Sequence, residues 1–392
     1  MERFPVGASA TVEELDRDPH PLLARLRATE PVSWLPTLDG WLVTSRDAAL
    51  RLLRDSRTFT VDDPRFSTAR VIGPSMLSLD GREHTRHREP FARPFRPGET
   101  RARFTGFVEA ETERLVTVMA PAGHADLREA LAGPLAVAVV TEALGLRGVD
   151  QATIRSWYDA FVAAVSGITA GASGAAEPGP AARHAHERLR AAVLGALEDP
   201  GGQDALLADV VRHAAGLDSA EIVANAAVLM FGGIDTTEGM ITNAVHHVYG
   251  DPGLVAAIRH DPALLAAAVE ESVRLEPAAS VVDRYATADA ELDGAAVRRG
   301  DLVRVSIAGA NRDPAVFTDP DRLDPRRENA AEHLAFAHGP HFCFGAHLAR
   351  LETVTVLRTL LDRLPGLRLD PDHPAAARGL VFRKPRQLRV RW

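Results

Sequence analysis

The only cysteine of this 392-residue chain, Cys343, stands directly before residues 346–364, which have the apolar spacing of an amphipathic helix. Free backbone N–H groups and the positive end of the helix dipole lower the pKa of a thiol at such a position and prepare it to bind a metal. Gly339 and Gly345 let the backbone approach the group that the sulfur holds. His341 can reach an anion on the same ligand. A lone cysteine without such neighbours is most often a small buried hydrophobic residue, so these neighbours favour a ligand-binding thiolate.

An acid and a hydroxyl interrupt the longest apolar helix pattern, which runs over residues 220–249. Asp235 and Thr236 follow two glycines in FGGIDTTEG, and all of these residue types are poor choices for the middle of a helix. One interpretation is the start of a new helix, because Asp235 and Glu238 have the spacing of a capping box. Apolar spacing continues on both sides, which favours one helix with a local opening. A carboxylic acid beside a hydroxyl then suits proton delivery.

Further charged residues have spacings that place them on shared faces. Glu271 and Arg274 are three residues apart on a predicted helix that is apolar nearly all round. That setting implies a buried pair, and a buried pair needs further partners. His84 and Arg88 are four apart and share another helix face, while Arg284 lies on a predicted strand. Alone, each of these three would be a surface residue.

Helical patterns dominate the segments that must position these side chains. Strand patterns are confined to about 31–45, 281–306 and 378–392, and the first and last of these predict β-hairpins. A Gly-, Ala- and Pro-rich break over 167–180 is either a plain linker or a lid over a pocket. We predict a mainly α fold with a small β portion, in one large domain spanning residues 1–392.

Composition narrows the class of protein. The formal net charge is −8, and this lack of a basic surplus argues against nucleic acid as a partner. A single cysteine excludes an internal disulfide framework and a four-cysteine zinc site within the chain. The N-terminal residues lack the apolar core of a signal peptide, and no segment approaches the roughly 18 apolar residues of a membrane helix. We therefore predict a cytoplasmic protein without a membrane anchor.

The cysteine segment closely resembles the haem-binding loop of the cytochrome P450 superfamily. The matching positions are Phe336, Gly339, His341, Cys343, Gly345, Leu348, Ala349 and Arg350. One departure is Ala337, where the family most often has glycine, a small-for-small change. Similarities in WLVTSRDAAL, in ANRDPAVFTDPDRL and in the closing hairpin extend the resemblance over most of the chain and point to the soluble bacterial branch.

The resemblance implies a cytochrome P450 fold that holds haem b, with the Cys343 thiolate as the axial iron ligand. It assigns Phe336 and Gly345 to the cofactor loop, and Thr236 and Asp235 to proton delivery. The haem propionates need neutralising partners where they are buried, and the resemblance assigns this role to His84, Arg88, Arg284 and His341. It also implies a structural cluster without chemistry of its own, formed by Glu271, Arg274 and Arg327.

The implied function is a monooxygenase that inserts one oxygen atom of O2 into an apolar or amphipathic small molecule, by hydroxylation or epoxidation, in bacterial secondary metabolism. No flavin or iron–sulfur motif is present, so electrons must come from separate proteins, and the resemblance implies a ferredoxin and its NAD(P)H-dependent reductase. Two alternatives remain: the same fold used for ring coupling, nitration or rearrangement, and a non-catalytic haem-binding protein, which would not need the acid–hydroxyl pair. By position, the candidate substrate-pocket residues are Met76, Leu77, Phe231, Gly232, Ala279, Val281 and Phe382.

Overall fold

The computed structural model describes residues 3–146, 148–169, 178–198, 207, 210 and 216–392. They divide into a first unit, Met1–Thr60 with Thr112–Ala132 and Thr236–Trp392, and a second unit, Val61–Glu111 with Gly133–Asp235. The single domain over residues 1–392 stays a prediction. Most of the break over 167–180 lies outside the described residues, so the choice between lid and linker also stays open.

A five-stranded sheet forms the larger β portion of the first unit. Its strands, in spatial order, are β1 (Val32–Leu35), β2 (Gly40–Val43), β8 (Leu302–Ser306), β5 (Val281–Ala286) and β3 (Phe59–Thr60). The predicted hairpin of β1 and β2 is confirmed; it turns at Asp39, whose φ is +45°. Strand β2 runs parallel to β8, pairing Trp41 with Val303 and Val43 with Val305. These side chains are buried in one core cluster, which fixes the register because a one-residue slip would turn them to the other face.

The remaining strands are short and lie in the first unit. β6 (Ala290–Leu292) and β7 (Ala295–Val297) form a hairpin whose Asp293 and Gly294 both have positive φ. The other pairs are β10 (Ala377–Arg378) with β11 (Lys384–Pro385), and β12 (Arg389–Arg391) between β4 (His124–Asp126) and β9 (Arg368–Leu369). The prediction of one hairpin over 378–392 is therefore wrong in its second half. Pro385 has no N–H to continue a ladder, and the chain after it pairs with strands that are distant in sequence.

Helices make up most of both units, which confirms the predicted mainly α fold. No helix in the described ranges is long and apolar enough to cross a membrane. In chain order the helices are α1 (Pro5–Ser9), α2 (Val12–Arg17), α3 (His20–Thr29), α4 (Arg46–Arg54), α5 (Ser67–Ile72), α6 (Gly81–Ala92), α7 (Pro97–Met119), α8 (Gly133–Leu144), α9 (Gln151–Thr169), α10 (Pro180–Glu198), α11 (Ser219–Gly250), α12 (Pro252–His260), α13 (Leu264–Leu275), α14 (Ile307–Ala310) and α15 (Ala346–Arg363).

The long helix α11 is continuous through FGGIDTTEG, so the chain does not start a new helix at Asp235. Glu238 is fully buried instead of capping a helix end, and its Oε1 accepts from Arg128 Nε at 2.6 Å and Lys384 Nζ at 2.7 Å. Gly233 is required for packing, because a Cβ there would lie 2.6 Å from Val140 Cγ2 on α8. The glycine that weakens the helix locally thus lets two helices of the second unit approach each other.

Candidate functional site

Cys343 is solvent-exposed, which excludes the interpretation of a small buried hydrophobic residue. Its backbone N–H donates to Phe336 O at 2.8 Å, and its carbonyl accepts from Ala346 N at 3.4 Å. Helix α15 begins at Ala346, with Gly345 as its N-cap. The loop therefore presents the sulfur at the N-terminal end of a helix of 18 residues, as the sequence predicts.

Two positions in this loop have left-handed backbone. Gly339 has φ +72°, and a Cβ there would lie 2.5 Å from Leu53 O at the end of α4, so only glycine fits. Ala337 has φ +56°, a conformation that costs a residue with a Cβ about 1–2 kcal/mol. The departure from glycine at Ala337 is therefore a matter of backbone strain as well as of side-chain size.

A polar cluster that sequence reasoning missed supports Phe336. The Arg350 guanidinium lies 4.3 Å from the centre of the Phe336 ring and donates to both oxygens of Glu270, at 2.7 and 2.6 Å. His333 Nε2 lies 3.0 Å from Glu270 Oε1. Burial alone would raise the pKa of Glu270, but the hydrogen bonds with Arg350 and His333 outweigh it and lower the pKa to about 2. An ionised Glu270 thus holds Arg350 against the ring that begins the cysteine loop.

The structure brings together Glu271, Arg274 and Arg327. Glu271 and Arg274 are both 0% exposed and form two hydrogen bonds of 2.7 and 2.8 Å, while Arg327 Nε donates to Glu271 Oε1 at 2.8 Å. The same Arg274 also donates to the carbonyls of Asn311, Pro320 and Arg322. This cluster holds the irregular segment that leads into the cysteine loop against α13.

The predicted proton-delivery and anion-binding residues are placed as follows. Asp235 and Thr236 are adjacent and half-buried in the middle of α11. In the second unit, His84 is buried and Arg88 half-buried on α6, one helical turn apart. In the first unit, Arg284 is 5% exposed on β5, and His341 is half-buried in the turn before Cys343.

Four of the predicted pocket residues lie in the second unit. Met76 is buried and Leu77 half-buried in a turn between α5 and α6. Phe231 packs on Tyr158 with ring centres 6.3 Å apart, and Gly232 beside it is exposed on α11.

The other three predicted pocket residues lie in the first unit. Ala279 and Phe382 pair in an isolated β-bridge. Val281 lines a small apolar cavity with core residues that include Leu15 and Leu42. Side chains alternate along a strand, so the neighbour that shares the face of Arg284 on β5 is Val282 and not Val281.

Glu352 is a buried carboxyl on α15 that no sequence motif indicated. It is 3% exposed, and its Oε2 has no hydrogen-bond partner among the described residues. Burial raises the pKa of Glu352 well above its usual value. The folded chain therefore keeps this group protonated at a pH where the unfolded chain has released the proton.

Replacing Glu352 by Gln should make stability less dependent on pH. The unfolded chain loses this proton above a pKa of about 4.3, while the folded chain retains it until its raised pKa is reached. Through this group the free energy of unfolding falls by up to about 1.4 kcal/mol per pH unit as pH rises, and Glu352→Gln removes that slope. Urea unfolding at several values between about pH 5 and 8 measures it. The exposed Glu129→Gln is the control, and parallel profiles for Glu352→Gln and the parent would contradict the prediction.

Comparison with known proteins places this arrangement in a family. The family model described as cytochrome P450 matches residues 198–374. Cytochrome P450 monooxygenase PikC of Streptomyces venezuelae is 36% identical, covering 94% of this chain and 92% of its own length. Nocardicin C N-oxygenase of Nocardia uniformis subsp. tsuyamanensis is also 36% identical, covering 96% of both chains.

The fold agrees with these sequence relations. The crystal structure of CalO2 superposes with a TM-score of 0.88 at 29% identity, covering 97% of this chain and 98% of that one. The chain is more than one third identical to these relatives over nearly its whole length, and it has an exposed cysteine in the matching loop. The chain belongs to the cytochrome P450 family and is an oxidoreductase of the monooxygenase class.

Proposed function

We propose that the chain binds haem b through the Cys343 thiolate and inserts one oxygen atom of O2 into an apolar or amphipathic small molecule. The observation that carries this proposal is the exposed sulfur at the start of α15. The loop fits a planar group beside the sulfur. Gly345 has ordinary φ, and the nearest atom to a Cβ built on it would be Cys343 Sγ itself at 3.7 Å, so the protein's own packing does not require glycine there. A haem approaching the backbone supplies a reason for glycine.

The bound haem supplies the activation of O2; the chain's own residues bind, orient and move protons. We propose that Thr236 holds a water or hydroxyl proton at the reacting side, and that Asp235 passes protons to it from solvent. By resemblance, His84, Arg88, Arg284 and His341 bind the two carboxylates of the cofactor. Phe336 and Gly345 complete its loop. Glu271, Arg274 and Arg327 maintain the fold without touching the reacting atoms.

The substrate is proposed to be an apolar or amphipathic small molecule of bacterial secondary metabolism. Support comes from the apolar character of the candidate pocket residues and from relatives such as the nocardicin C N-oxygenase. The residues proposed for the pocket are Met76, Leu77, Phe231, Gly232, Ala279 and Phe382, with Val282 favoured over Val281 because it shares the face of Arg284. An atypical oxidation such as ring coupling, nitration or rearrangement is the second candidate, since one similar structure, 26% identical, is named for C–S bond formation.

Electrons are proposed to arrive from a ferredoxin and its NAD(P)H-dependent reductase. The surface around the cysteine loop has features that suit an acidic partner. Phe342 is 43% exposed beside Cys343, and exposed Arg54 on α4 lies 3.4 Å from the ring of His338 in the same loop. An apolar residue near positive charge is a common composition for transient docking.

Replacing Cys343 by His or Ala tests the proposed function. The reduced CO complex of the parent should have a far red-shifted Soret band, because a thiolate donates electron density to iron. Cys343→His should give the spectrum of a histidine-ligated haem, and Cys343→Ala should lose most bound haem; both should lose oxidation of any substrate.

Phe342→Ala, one residue away, is the matched control for the cysteine variants. It should keep the red-shifted band while weakening ferredoxin-driven reduction. A cysteine variant that is folded by circular dichroism and keeps the parent's colour and oxidation would overturn the proposed function.

A further inference from the structure

Asn225 is a fully buried amide on the part of α11 that belongs to the second unit. Its Oδ1 accepts the backbone N–H of Met76 at 2.8 Å. Its Nδ2 donates to Glu221 O at 2.8 Å and lies 3.0 Å from His87 Nδ1. One side chain therefore joins α11, α6 and the turn that contains Met76.

The orientation of this amide is determined by its partners. Met76 N–H can only donate, so it must face the amide oxygen, which leaves the NH2 group facing His87. His87 Nδ1 must then be an acceptor, and the proton of the neutral ring lies on Nε2. That nitrogen lies 3.3 Å from Glu221 Oε1. The opposite orientation would set donor against donor at Met76 and acceptor against acceptor at the Glu221 carbonyl.

Arg86 binds the carboxylate of Glu221, the residue whose carbonyl accepts from Asn225. Its guanidinium donates to both oxygens of Glu221, at 2.5 and 2.9 Å, and to Glu83 Oε2 at 2.8 Å. The hydrogen bonds from Arg86 lower the pKa of Glu221 to about 2, so this carboxylate stays ionised beside His87. We call Arg86, His87, Glu221 and Asn225 the Asn225 cluster.

The turn whose Met76 N–H donates this hydrogen bond has little regular structure of its own. It lies between α5 and α6, and its internal bonds are Ser78 N to Ser75 O at 2.9 Å and Ser75 N to Ser78 Oγ at 3.1 Å. A buried side-chain acceptor on a rigid 32-residue helix is therefore a strong constraint on where Met76 and Leu77 lie.

We propose that Asn225 is a positioning residue for the substrate: it fixes the backbone of Met76 and thereby shapes the wall formed by Met76 and Leu77. The inference rests on the proposed function, because those two residues are proposed to line the pocket. The binding affinity of large apolar ligands, which fill the pocket to this wall, depends on Asn225. The affinity of small ligands that contact only the haem iron does not.

Hydrogen exchange tests the positioning directly and does not depend on activity. In Asn225→Leu and in the shorter Asn225→Ser, the Met76 amide should exchange about tenfold faster, equivalent to about 1.4 kcal/mol. Asn225→Asp should keep part of the protection, because one carboxylate oxygen still accepts from Met76 while the other faces the Glu221 carbonyl, which has lost its donor. If the leucine variant fails to fold, the serine variant carries the test.

Asn243→Leu is the matched control. Asn243 is also a buried amide on α11, and its Nδ2 donates to Glu276 O at 3.1 Å and Arg383 O at 3.0 Å. Its replacement removes the same group from the same helix, and should leave Met76 exchange unchanged at matched stability. Equal acceleration of Met76 in both leucine variants would assign the effect to general destabilisation and overturn the proposal.

The binding of two azoles of different size tests whether the position of Met76 affects the pocket. The probes are imidazole and econazole, titrated against the haem-loaded protein by the shift of the Soret band. Asn225→Leu and Asn225→Ser should bind econazole about tenfold more weakly and imidazole as the parent does. An unchanged econazole affinity alongside faster Met76 exchange would overturn the role in substrate binding. Failure of the proposed function is separate, since it would appear in the parent's CO spectrum while leaving the exchange result intact.

Discussion

Replacing Arg383 by Met should destabilise the protein by about 3–5 kcal/mol, the usual cost of removing one partner from a buried ion pair. Arg383 is 2% exposed, and its Nε donates to Glu276 Oε1 at 2.9 Å. Its other nitrogens donate to carbonyls that include those of Asp16 at 2.9 Å, Gly379 at 2.9 Å and Ala377 at 3.0 Å. Methionine fills a similar volume but leaves a buried carboxylate and several carbonyls without this donor.

Glu276 explains why this loss is large. Burial alone would raise its pKa, but the hydrogen bond with His20 and the charge of Arg383 lower the pKa to about 2. The folded chain is therefore built around an ionised Glu276, and the arginine both neutralises it and ties α2 to the closing β segment. Sequence reasoning missed Arg383 because its hydrogen-bond partners come from both ends of the chain.

Urea unfolding of the haem-loaded protein measures the effect of Arg383→Met. Arg383→Lys should recover part of the loss, because it keeps the charge but cannot reproduce the planar set of donors. Exposed Arg386→Met, three residues on, is the control and should change stability by less than about 0.5 kcal/mol. Equal stability of Arg383→Met and Arg386→Met would contradict the assignment.

Replacing Glu271 by Gln should have an effect of similar size, about 3–5 kcal/mol. The carboxylate accepts from Arg274 and Arg327, whose side chains are 0% and 8% exposed. A neutral amide leaves two buried guanidinium groups without their counter-charge, and its NH2 group turns a donor toward one of them. We expect low yields of folded protein and little haem uptake, because the segment before the cysteine loop is held by these contacts.

The adjacent Glu270→Gln is a graded comparison for this second prediction. Glu270 also contacts an arginine and a histidine, but its side chain is 18% exposed, so water compensates part of the loss. We expect a smaller fall in the urea midpoint and in haem content than for Glu271→Gln. If the two variants unfolded alike, burial would not be the cause of the Glu271 effect.

The sequence by itself determined the features that depend on residues close together along the chain. The apolar period of helix α11 predicted one helix through FGGIDTTEG, and alternation with turn residues predicted the hairpin of β1 and β2. The resemblance of the cysteine loop predicted the family. The spacing of Glu271 and Arg274 predicted a buried pair, because both lie on one face of an apolar helix. These signals are local, since helix and strand periods and turn conformations are set by neighbouring residues.

The tertiary structure alone decided which distant groups meet. Asn225 and Met76 are 149 positions apart, and Arg383 is 367 positions from Asp16, so no local pattern connects them. Local patterns also did not predict the pairing of β12 with β4 or the positive φ of Ala337. Nor did they predict the burial that raises the pKa of Glu352. Burial and hydrogen-bond partners are properties of the packed chain, because each depends on side chains that folding brings from other elements.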